Sequence, residues 1–251
     1  MRAFPRSATL LAACTLVLAT GCGTDDEPTA ATGSDTPPSS AATSTEPEPT
    51  PPTTSPSSAS PTVSASPASL TDRLLATGEV PGLNASWHWQ DGETGPAGAD
   101  PFGACAKVDL ASIGATEVVA RSYFPPVDTD DHAAQQVAEF PDTATAARAA
   151  KVLASWHAQC RRWVAAQDPT ATGVRVRPVT AVDTASGTGT WYLVSWTPKG
   201  AEEGRFHAFG TVVDGTRISV LSIDNGGQDY NYPVGKEPMV GMVAAAAEKL
   251  G

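Results

Sequence analysis

The sequence predicts an α+β domain, an antiparallel sheet interrupted by one long helix and closed by a second. Three observations carry this reading. Residues 70–251 alternate between short β-rich runs and two segments with apolar residues at helical spacing. Asp214-Gly215 joins two of the β-rich runs and is the strongest hairpin signal in the chain. About 180 residues also suffice to bury a substantial core.

The elements follow in order. Ser69 can cap a short helix containing Leu70, Leu74 and Leu75. Ala85 to Gln90 reads as a strand ending in a turn at Asp91-Gly92. Thr116 to Phe124 is β-rich and stops at Pro125-Pro126, and Ala133 to Phe140 forms the next strand. Asp142 or Thr143 then opens the long helix by accepting orphan amide hydrogens. Within it Ala146, Ala149, Leu153, Trp156, Cys160 and Trp163 recur at three and four residues and make one apolar stripe. Arg161 and Arg162 suit the negative end of the helix dipole, and Asp168-Pro169 stops the helix. Four β-rich runs come next: 173–182, 190–196, 205–213 and 216–223. A final helix from about Glu237 to Leu250 tolerates Pro238 in its first turn and gathers Met239, Met242, Val243, Ala246 and Leu250 on one face.

The residues before 70 are of another kind. Arg2 and Arg6 precede an uncharged apolar stretch from Ala8 to Leu18, shorter than the ~20 residues a membrane span needs, so residues 1–21 read as a secretory signal. Leu18-Ala19-Thr20-Gly21-Cys22 resembles a bacterial lipobox, with cleavage before Cys22 and diacylglycerol on its thiol. The alternative is an ordinary signal peptide that leaves Cys22 as an odd thiol. Residues 22–69 are almost wholly Pro, Ser, Thr, Ala and acids, with Val63 the one large apolar side chain. Such a stretch cannot offset the entropy of folding and is expected to be a lipid-anchored disordered tether. Its Pro-rich parts favour extended polyproline II.

Charge and cysteine usage narrow the partners. Of 251 residues, 16 are Lys or Arg and 27 Asp or Glu, a formal net charge of −11 with no basic block, which argues against nucleic acid. With Cys14 removed in the signal and Cys22 lipidated, Cys105 and Cys160 are left as a pair in an oxidising compartment, where a disulfide is expected. The rival reading, a nucleophilic Cys160 with His157 nearby, needs a free thiolate.

No nucleophile elbow, phosphate loop, His-Glu-x-x-His helix or Cys-x-x-Cys pair occurs, so no catalytic residue, metal or cofactor is assigned. Asp128-Thr129-Asp130-Asp131 begins like a calcium loop but lacks the glycine and distal Glu such a loop requires. The candidate binding residues are Trp191, which alternates with Tyr192 on a strand, and Asp224, Asn225, Asp229, Tyr230 and Tyr232, which fall within a Gly-containing segment expected to be a loop. Carboxylates, amides and tyrosines together suit a polar ligand or a protein contact. Asp224 and Asp229 also raise the alternative of a cell-wall hydrolase with paired carboxylates.

One stretch, Val137-Ala138-Glu139-Phe140-Pro141-Asp142-Thr143-Ala144-Thr145-Ala146-Ala147 followed by Trp156 and Cys160, resembles the PknH-like extracellular sensor domain of actinobacterial kinases and lipoproteins. The resemblance spans about 100–251 loosely. It implies a curved sheet with helices packed on it, a cleft for a ligand, and no catalytic residues. That family spaces its Trp and Cys more tightly and often carries a second disulfide, whereas Arg217 to Tyr232 here contains no Cys. The expectation is therefore a lipoprotein at the extracellular face of the cell membrane, held by lipid on Cys22, with residues 70–251 binding a small envelope ligand or an envelope protein without catalysis.

Overall fold

Eight strands form one antiparallel sheet in the computed structural model, which describes residues 69–227 and 232–251. The signal, Cys22, the tether up to Ala68, and Asp229 and Tyr230 lie outside the described residues. The strands are β1 (Gln90–Pro96), β2 (Glu117–Phe124), β3 (His132–Glu139), β4 (Ala171–Val176), β5 (Thr180–Val182), β6 (Thr188–Pro198), β7 (Gly204–Asp214) and β8 (Arg217–Gly227). Their order is β1-β2-β3-β8-β7-β6-β4, with β5 also paired to β6. Two helices, α1 (Thr143–Gln167) and α2 (Pro238–Leu250), cover opposite faces. The architecture is the predicted α+β arrangement.

The alternation of side chains along each strand divides the core in two. On β8, Ile218 and Val220 point to α1 and join Phe140, Ala146 and Ala149, while Leu221 and Ile223 point to α2 and join Met239, Met242 and Val243. A third cluster lies beside the α1 core, around Cys105, Cys160, Val174, Val194 and Phe209. Each fully buried large apolar side chain contributes about 1.5–3 kcal/mol. Gly210 faces α2, where an added Cβ would lie 2.6 Å from Val243 and 2.7 Å from the Met239 sulfur, so helix and sheet meet closely there.

The long helix follows the sequence reading closely. Asp142 adopts extended backbone and its Oδ1 accepts the Thr145 amide at 2.6 Å, which is the N-cap. The helix stops at Gln167, before Asp168-Pro169. Its buried stripe is Ala146, Ala149, Trp156, Cys160 and Val164. Trp163 stays at the edge, where the Lys107 ammonium lies 5.6 Å from its ring centre. The Cys105–Cys160 disulfide is formed, spanning 55 residues and tying the segment before β2 to the helix.

Four local expectations are corrected. Asp91-Gly92 is not a turn: β1 begins at Gln90 and runs through both residues, with a register shift between Asp91 and Thr94. Gly92 fits there because an added Cβ would lie 2.5 Å from the Ser122 carbonyl oxygen. The run at 173–182 splits into β4 and β5, interrupted by Arg177-Pro178-Val179, because Pro cannot donate to a ladder. Asp224 to Gly227 belongs to β8 and pairs with His207 to Gly204 in a long β7–β8 hairpin. The short helix after Ser69 is a single 3-10 turn, Leu70–Arg73, capped by Asp72, whose carboxylate accepts the Ser69 amide at 3.0 Å.

The segment before β1 is hooked onto the α2 face by a buried polar network. The Leu75 amide donates to Gln135 Oε1 at 2.7 Å, Gln135 Nε2 donates to Ser219 Oγ at 3.0 Å, and the Tyr123 hydroxyl donates to the Leu75 carbonyl at 2.9 Å. Gln135 is wholly buried, so satisfied partners are what make it tolerable. Arg73 Nη1 meets the carbonyls of Lys249, Leu250 and Gly251 at 2.7, 3.0 and 2.9 Å, capping the last turn of α2.

Candidate ligand-binding groove

Two adjoining hollows open on the α2 face. The larger, about 790 Å³, runs between β5–β6 and the start of α2, past Arg177, Asp183, Trp191, Lys236 and Glu237. The smaller, about 120 Å³, lies deeper against Phe206, Ala208, Ile223, Asn225 and Tyr232. Arg177, Trp191, Leu193, Glu237 and Pro238 line both, so the two are continuous.

Strand register builds the floor. Leu193 pairs with Ala208, Ala208 with Ile223, and Phe206 with Asn225, so one row of side chains from β6, β7 and β8 faces α2. Trp191, 8% exposed, packs into the core and turns its remaining edge to the groove. The Tyr232 hydroxyl donates to the Leu83 carbonyl at 2.6 Å and fixes that side. Among the described residues, seven buried side-chain nitrogen and oxygen atoms have no hydrogen-bond partner, and two of them, Asn225 Nδ2 and Glu237 Oε2, belong to residues that line the smaller hollow. A buried donor and a buried acceptor left unmatched each cost about 1–3 kcal/mol. A ligand group is one way to satisfy the two at the groove.

Of the residues singled out from sequence, Trp191, Asn225 and Tyr232 therefore share one groove. Asp224 stands apart. It is the next residue along β8 from Asn225 and so points to the α1 face, where it lines neither hollow. There His132 of β3 and His207 of β7 flank it, with Nε2 and Nδ1 at 2.8 and 2.7 Å from its two oxygens. The His207 contact is close but is not an aligned hydrogen bond. Burial alone pushes the Asp224 carboxyl up, but the two imidazoles outweigh it and hold the group below the usual carboxylate range. The same hydrogen-bonding contact with Asp224 raises His132.

Asp224 thus lies between His132 and His207 on the α1 face, and Asp229, its partner in the paired-carboxylate alternative, lies outside the described residues. Sequence reasoning missed both histidines and Glu237. The histidines are 92 and 17 residues from Asp224 along the chain and meet it only through strand pairing. Among the described residues, no group of three or more His, Cys, Asp or Glu is arranged to hold a metal ion, and no helix is long and apolar enough to cross a membrane.

Comparison with known proteins adds a likeness of fold among solved structures. No protein-family profile matches the chain, and no curated protein does. Among solved structures, the chain is similar to the extracellular domain of PknH from Mycobacterium tuberculosis, at 16% identity and a TM-score of 0.42, over 71% of this chain and 92% of that one.

Proposed function

We propose that this protein is a lipid-anchored, extracytoplasmic binding domain without catalytic activity, which takes a ligand of the cell envelope in the groove on its α2 face. The observation that carries the reading is the pair of unmatched buried polar atoms, Asn225 Nδ2 and Glu237 Oε2, beside a large open groove edged by Trp191. A buried donor and acceptor in a hollow floored by apolar side chains and edged by Arg177, Asp183 and Lys236 fits a small-molecule site, in which few polar groups fix orientation and apolar surface supplies affinity. Supporting it are the signal, the lipobox-like cysteine and the acidic Pro-rich stretch, which together fit delivery to the outer membrane face on a spacer. The Cys105–Cys160 disulfide fits the same oxidising compartment.

The test is native mass spectrometry of the full processed chain recovered from its own cell envelope. The expected result is a stoichiometric adduct that is lost on unfolding and absent from an Asn225→Leu variant with unchanged circular dichroism. A clean ligand-free mass for the parent chain, or an adduct indifferent to Asn225→Leu, rejects the groove as the site. A second variant, Glu237→Gln, removes the acceptor's charge without changing its shape and should weaken the same adduct.

A further inference from the structure

The α1 face holds a cavity of different chemistry from the groove. About 260 Å³ lies between α1 and the sheet, closed at one side by the segment from Phe102 to Leu110. Its walls are the α1-facing side chains of β6, β7 and β8, among them Tyr192, Phe209 and Val220, and, from the helix, Ala150, Leu153 and Trp156. None of its lining residues is Asp, Glu, Lys or Arg, whereas the groove on the other face is edged by Arg177, Asp183, Lys236 and Glu237.

Two features show that this space is built and not a packing flaw. The disulfide pins Cys105, a wall residue, to Cys160 of α1, so the wall segment cannot close onto the sheet independently of the helix. Small side chains at Ala150 and Thr190 leave room where a leucine would fill it. The mouth is marked as well. Val108 and Val179 line the cavity and are 38% and 45% exposed, apolar surface set at an opening. The walls are mainly apolar, with His157, Thr188, Thr190, Tyr192 and Thr211 the polar side chains among them. The volume exceeds the ~150 Å³ of an engineered apolar cavity that stays dry and binds benzene.

We propose that this cavity seats one uncharged hydrocarbon tail, an acyl chain entering between Val108 and Val179 with its polar head left in water. At about 30 Å³ per water-sized unit, the space takes roughly nine methylenes. The site lies on the opposite face from the groove, shares only Tyr192 with its lining and takes an apolar ligand, so its test is separate from that reading.

Isothermal titration calorimetry on the full processed chain tests it, with decan-1-ol and sodium decanoate as probes and hexan-1-ol as the short control. The expected result is saturable binding of one ten-carbon probe per chain, with hexan-1-ol at least tenfold weaker. Ala150→Leu, which exchanges one strong helix former for another, should weaken decanol binding at least tenfold by filling the cavity. Thr190→Leu, from the sheet side, should do the same and covers the case in which the helix variant fails to fold. Transfer from didecanoyl-phosphatidylcholine would identify a membrane lipid as the source of the chain, and binding of decanoate alone would identify a free fatty acid. Absence of saturable binding overturns the proposal, and so does binding that neither filling variant reduces.

Discussion

Reducing the Cys105–Cys160 bridge offers the most direct check on how this domain is held together. The bridge closes a loop of 55 residues, and the chain-entropy relation gives about 4 kcal/mol for a loop of that length. Whole domains are commonly stable by only about 5–15 kcal/mol, so this one bond is a large fraction of the total. For a domain of this size each kcal/mol corresponds to about 2–4 °C in melting temperature, so reduction should lower it by roughly 8–16 °C. Urea unfolding of oxidised and reduced chain at one pH gives the free energy directly. A Cys105→Ala/Cys160→Ala variant should lose more than the reduced chain, because it also removes two buried sulfurs from the cluster around Val194 and Phe209. A reduced chain less than about 1 kcal/mol weaker than the oxidised one would refute the reasoning. It would mean that α1 docking already confines the loop without the bond.

Other expectations follow from the same contacts. Gln135→Ala strands the Leu75 amide and the Ser219 hydroxyl in the core and should cost about 2–4 kcal/mol by urea unfolding. Asp142→Ala removes the N-cap of α1 and should cost about 1 kcal/mol, with Asp142→Ser close to neutral. Stability should also depend on pH at two edges. Asp224 is lowered on folding, so its contribution is present above the ordinary value of 3.8 and is lost as pH falls through the folded value. His132 is raised, so its contribution is complete below 6.5 and is lost as pH rises through the folded value. Urea midpoints measured from acid to alkaline pH should therefore be highest between those ordinary values, and Asp224→Asn should flatten both edges.

Much of the fold was legible because its signals are local. The α1 boundaries rest on Asp142 and on Asp168-Pro169, and the α2 face on five side chains at helical spacing, all of which the structure places as read. The Asp214-Gly215 hairpin likewise needs only neighbouring residues, with Gly215 at φ +57° and Asp214 paired to Arg217. What was not legible depends on residues far apart in the chain. Asp91-Gly92 has turn composition, yet it lies against Ser122 of β2, and only that contact makes the glycine part of a strand. Asp224 to Gly227 reads as a loop until β7 is extended opposite it. The same oversight hid the site. Once those residues are a strand, Asp224 and Asn225 must face opposite ways, so one belongs to the histidine cluster and the other to the groove.

The grip of Arg73 on the last turn of α2 has a mechanical meaning. It shackles the first turn of the described chain to the carbonyls of Lys249, Leu250 and Gly251. Tension arriving through the residues before 69 meets this shackle, and the Gln135 network behind it, before it reaches any strand of the sheet. A domain hung at a cell surface from this end would keep its groove and its cavity in shape while under pull.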